Sequence, residues 1–93
     1  MVWGTGTVLG TDLCICFGGG TRPHLGATAL AIPRPSLKDG SQTSASASVI
    51  CVPGHKEDLL ARSFALEAAS RLNCRVSVSI GLHVDNAGRE DMA

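Results

Sequence analysis

The sequence predicts a small α+β fold: a single mixed sheet, elements in the order β-β-β-β-α-β, packed on one helix. Three observations predict it. Five segments read as strands, four before and one after a single segment of helical period, and the last of them alternates apolar and polar residues cleanly. Glycine and proline clusters separate most of those segments: Gly10-Thr11, Gly18-Gly19-Gly20, Pro33-Arg34-Pro35 and Pro53-Gly54. The chain has 93 residues, which leaves room for one domain spanning 1–93.

In order, residues 2–9 and 12–17 read as two strands joined at Gly10-Thr11, a pair suited to a tight hairpin. In the second strand Leu13, Ile15 and Phe17 share one face, and Asp12, Cys14 and Cys16 the other. The three glycines that follow read as a loop, because glycine weakens a strand. A third strand is expected over 26–32, with Ala27, Ala29 and Ala31 on one face and Pro33-Arg34-Pro35 ending it. After a polar turn around Lys38-Asp39-Gly40, Ser44-Ala45-Ser46-Ala47-Ser48 runs into Val49-Ile50-Cys51-Val52 as one long strand. The helix is expected from about His55 to Asn73. Its apolar stripe is Ala61, Phe64, Ala65, Ala68 and Leu72, with Leu59 and Leu66 on the opposite side. The last strand, 74–85, places Val76, Val78, Ile80, Leu82 and Val84 on one face. A polar tail follows.

Composition excludes several classes of function. Formal net charge is zero, and the eight basic residues form no run. Binding to a nucleic-acid backbone needs clustered Lys and Arg, and single-strand binding needs surface aromatics. The only aromatics are Trp3, Phe17 and Phe64. No apolar stretch approaches the ~18 residues that span a bilayer, and the N-terminus has no signal-peptide pattern. The expectation is a cytoplasmic protein with no nucleic-acid or membrane partner. Cys14, Cys16, Cys51 and Cys74 are expected to be reduced, buried thiols. A core made mostly of small residues is thin, and it gains stability if it continues across a homodimer interface.

Three clusters are candidates for chemistry. Gly18-Gly19-Gly20-Thr21-Arg22-Pro23-His24 offers backbone N–H groups and an arginine to an anion, although it lacks the phosphate-loop ending Gly-Lys-Ser/Thr. Pro53-Gly54-His55-Lys56 precedes a helix, whose first N–H groups suit a phosphate. His83 and Asp85 project from one strand face, beside Asn86. The small-residue faces Ala27/Ala29/Ala31, Ala45/Ala47 and Ser77/Ser79/Gly81 admit a close flat neighbour: a helix, a second subunit or a planar ring. No nucleophile-elbow pattern or catalytic set is present, so no catalytic residue is assigned.

Five segments in order resemble a known family. They are Gly19-Gly20-x-x-Pro23-His24-Leu25-Gly26-Ala27, Pro33-Arg34-Pro35-Ser36-Leu37, Ser44-Ala45-Ser46-Ala47-Ser48-Val49, Gly54-His55-Lys56-Glu57-Asp58 and Gly81-Leu82-His83-Val84-Asp85-Asn86-Ala87. Together they are similar to the prenylated-flavin chaperones, the small LpdD-like proteins that accompany UbiD-type decarboxylases. The resemblance implies a proteasome-assembly-chaperone-like fold that dimerises. It also implies a non-catalytic role: binding reduced prenylated FMN as cargo and assisting its loading into a UbiD-type hydroxyarylic acid decarboxylase. Within the matched segments the residues expected to hold the flavin are Gly19, Gly20, Arg22, His24, Arg34, Ser46, Gly54, His55, Lys56, His83, Asp85 and Asn86. Family members usually continue into a longer C-terminal helix, whereas this sequence reaches Ala93 soon after Ala87. Two alternatives stand beside this reading. One is a small metal-dependent enzyme using His24, His83 and Asp85; the other is a pure assembly factor with no ligand.

Overall fold

The computed structural model describes residues 2–20, 24–52 and 57–83, the last two by backbone alone. The elements follow the expected order: β1 (Val2–Leu9), β2 (Asp12–Gly20), β3 (Ala27–Pro35), β4 (Thr43–Cys51), α1 (Asp58–Leu72) and β5 (Val76–His83). The five strands form one sheet in the order β1-β2-β5-β3-β4. It is mixed: β2 and β5 are parallel, and every other neighbouring pair is antiparallel. β1 and β2 meet in a two-residue turn with Gly10 at φ 63°, the Gly-X arrangement that matches strand twist.

Two strand ends differ from expectation. The glycines at 18–20 continue β2 instead of forming a loop. They lie between two strands that supply the pairing, Gly18 opposite Trp3 on one side and Gly81 on the other. Gly20 sits at φ 82°, which its missing side chain permits. Likewise Pro33 and Pro35 belong to β3 and do not end it. β5 pairs with β3 only over 27–31, so beyond Ala31 the strand is an edge, where a missing N–H costs no ladder bond.

Among the described residues, seven of the ten core residues are alanines. Ala61, Ala65 and Ala69, spaced at i, i+4 and i+8, are fully buried. They pack above Ala27, Ala29, Ala31 and Ala45, beside Val76, Val78 and Ile80. The buried helical stripe is therefore narrower than expected. Phe64 and Leu72 are 43% and 57% exposed, because alanine on alanine seats the helix close and pushes larger side chains to its flanks. Phe64 meets Phe17 edge-on there, with centroids 4.8 Å apart. Leu66 packs against the core and is not on the opposite side; Leu59 is exposed. The helix ends at Asn73, at φ 51°, whose N–H reaches the Ala69 carbonyl. Its expected first residues, from His55, lie outside the described residues.

α1 packs on β3, β4 and β5. The opposite sheet face carries Thr28, Leu30, Ile32, Ile50, Ser77 and Ser79, and its apolar members remain exposed. The thiols form no disulfide and, against expectation, are not buried: Cys14, Cys51 and Cys74 are half-buried and Cys16 is exposed. Among the described residues no helix is long and apolar enough to cross a membrane.

Candidate functional site

Topology gathers Gly19, Gly20, His24 and the backbone of His83 at one end of the sheet. β2, β4 and β5 all finish there, β3 starts there, and α1 begins on the same side. Gly19 and Gly20 lie opposite Leu82 and His83 in the parallel pair. The carboxyl ends of parallel strands are where open sheets commonly receive ligands. Because β5 lies between β2 and β3, the connection from β2 to β3 must cross the end of β5. It does so at His24, whose carbonyl rests directly against Gly81; a Cβ at Gly81 would overlap it.

The crossing is anchored on both sides. The Gly26 N–H donates to the Ile80 carbonyl at 2.9 Å, and the Val52 N–H donates to the Gly26 carbonyl at 2.8 Å. His24 Nε2 lies 3.2 Å from Glu57 Oε2, with both side chains largely buried, so the loop before β3 is latched to the start of α1. A side chain at Gly26 would displace that carboxylate. Glu57 occupies the N-cap position of α1 but makes no side-chain cap bond. It complements the helix dipole by charge alone. Beside the crossing is a hollow of about 270 Å³ lined by Leu25, Gly26, Ala27, Thr28, Ile50, Cys51 and Val52. That is smaller than the roughly 300–1,000 Å³ of typical ligand pockets, so a nucleotide-sized ligand would extend beyond it.

Arg34 and Ser46 are not part of this end. They lie toward the far end of β3 and β4, where Arg34 Nε donates to Ser46 Oγ at 2.8 Å and Nη1 donates to the Pro35 carbonyl at 3.1 Å. Arg22, Gly54, His55, Lys56, Asp85 and Asn86, and the side chain of His83, lie outside the described residues. Among the described residues no three His, Cys, Asp or Glu side chains cluster as metal ligands.

Two small-residue faces are occupied by the fold itself. Helix α1 covers the alanines of β3 and β4, and the His24 carbonyl covers Gly81. Ser77 and Ser79 remain, on the sheet face away from α1, where Ser79 Oγ lies 3.1 Å from Thr28 Oγ1. Elsewhere the Glu67 carboxylate, 2.6 Å from Arg71 Nε, holds that guanidinium above its usual value by hydrogen bonding and charge. Sequence reasoning missed Glu57 as the partner of His24, since no local pattern links residues so far apart. It also missed that Gly26 and Gly81 serve close backbone approach.

A single mixed sheet carrying one helix, with connections crowded at one end, is a small α+β fold. The sequence model of the prenylated flavin chaperone LpdD-like domain matches residues 2–93, and the chain belongs to that family. No curated protein matches the chain.

Proposed function

We propose that this protein, acting as one domain over its whole length, binds reduced prenylated FMN as cargo and loads it into a UbiD-type hydroxyarylic acid decarboxylase. It works in the cytoplasm as a homodimer and catalyses no reaction itself. The carrying observation is family membership across residues 2–93, supported by the convergence of β2, β4, β5 and α1 on one end of the sheet. The phosphate binds at residues 54–56 with Lys56, or at residues 18–22 with Arg22, where backbone N–H groups and a basic side chain coincide. The ring lies against the polar face around Thr28 and Ser79. The small volume of the hollow in one copy favours a site completed by other residues or by a second subunit.

Anaerobic titration with reduced prenylated FMN and reduced FMN side by side tests this. The prenylated form should bind with a spectral change and more tightly. A charge-assisted hydrogen bond contributes about 1.5–3 kcal/mol, so either Lys56→Ala or Arg22→Ala should weaken binding roughly 10- to 100-fold. Lys38→Ala, in the turn between β3 and β4, should not. Absence of binding at micromolar concentrations refutes the reading. Parent-like binding by both variants moves the phosphate to Arg34.

A further inference from the structure

We propose that β1 is the edge through which two copies of this chain pair, antiparallel about a twofold axis, into one continuous sheet. This rests on the homodimer reading above and specifies its surface. All eight residues of β1 are exposed. Val2, Trp3, Val8 and Leu9 are 66%, 46%, 70% and 59% exposed, an unusual load of apolar surface for one edge strand. β1 also lacks the devices that keep an edge unpaired, having no charged residue and no proline. The other edge, β4, has α1 packed on it and is partly protected.

The strand complements itself. An antiparallel twofold pairing centred on Gly6 keeps each residue on its own sheet face. It sets Trp3 opposite the partner's Leu9, Thr5 opposite the partner's Thr7, and Val8 opposite the partner's Gly4. Every large apolar side chain then faces a matching one or a glycine gap. The two-residue turn closes at the Leu9–Asp12 pair, which directs the backbone N–H and C=O groups of Gly4, Gly6 and Val8 outward to the free edge. Zero formal net charge leaves no long-range repulsion between copies.

The test is a charge swap read by sedimentation at about 50 μM, beside the unsubstituted parent. Thr5→Lys/Thr7→Lys and Thr5→Glu/Thr7→Glu each place like charges opposite one another and should each be monomeric, with far-UV circular dichroism like the parent. Mixing the two should restore a heterodimer. Ser48→Lys on β4 should remain dimeric. Hydrogen exchange at Gly4, Gly6 and Val8 should slow at least tenfold on raising the parent concentration through the dimer range. A dimeric parent whose two charged variants are also dimeric overturns the β1 edge and leaves the homodimer reading intact. A monomeric parent overturns both. Flavin titration of the monomeric variants reads the cargo proposal separately.

Discussion

Substituting Gly81 by alanine tests the crossing at the end of the sheet. The new methyl group would overlap the carbonyl carbon and oxygen of His24. Those atoms are backbone, in a segment anchored by Gly26 to Ile80 and by Val52 to Gly26, so no side-chain rotation relieves the clash. Forcing an extra carbon into such a site costs about 1–3 kcal/mol, and lifting the segment forfeits hydrogen bonds of about 1 kcal/mol each. A loss of about 2–3 kcal/mol is expected. For a domain of this size that corresponds to a fall in Tm of roughly 8–24 °C. The assay is thermal and urea unfolding followed by far-UV circular dichroism. Gly40→Ala is the control, since a Cβ there meets nothing within 4 Å. If Gly81→Ala melts within about 3 °C of Gly40→Ala, the His24 carbonyl does not rest on Gly81 and the description of this end fails.

Val78, fully buried, should lose about 2 kcal/mol on truncation to alanine, whereas Ile50→Ala, at a site 79% exposed, should change stability by less than about 0.5 kcal/mol; equilibrium urea unfolding compares them. A double-mutant cycle with His24→Ala and Glu57→Gln should give a coupling of about 0.5–1.5 kcal/mol, and additivity within about 0.3 kcal/mol would remove the latch. The Asp39 carboxyl is held below its usual value by hydrogen bonds from the hydroxyl and the N–H of Ser41. Its folded value lies under its unfolded one, so its contribution is present above about pH 4 and disappears as pH falls through the folded value. Urea midpoints at about pH 3 and pH 6 should therefore differ less for Asp39→Asn than for the parent; equal differences would contradict the hydrogen-bond assignment.

The alternation of Val76, Val78 and Ile80 made β5 and its buried face legible in the sequence, and the single helical period made α1 so. What local pattern could not show was set by pairing partners. The glycines hold a strand because β5 pairs with all three and β1 with Gly18 and Gly19, and Pro33 is tolerated because it lies beyond the first residue of β5, Val76. The helical stripe was misjudged at Phe64 and Leu72 because periodicity gives a direction but not a depth. How closely α1 approaches is decided by the alanines of β3. At the site, His24, Gly19 and Gly20 were legible as chemistry-bearing residues. Their convergence with Glu57 was not, since it follows from the connection that must pass over β5. Arg34 and Ser46 read as part of the same set, but strand register carries them to the other end of the sheet.

The position of β5 has a consequence for how the chain is made. Among the described residues it is the last strand in sequence and the middle one in space, joining the β1–β2 hairpin to the β3–β4 hairpin. Neither hairpin contacts the other in the ladder without it, and its parallel pairing with β2 closes the longest loop among the described strand pairings. Contacts so distant in sequence form slowly. While the ribosome has yet to release β5, the emerging chain holds two separate ribbons with an open slot between them, and their facing edges are available to any other strand. Synthesis of β5 is the event that turns these ribbons into a sheet.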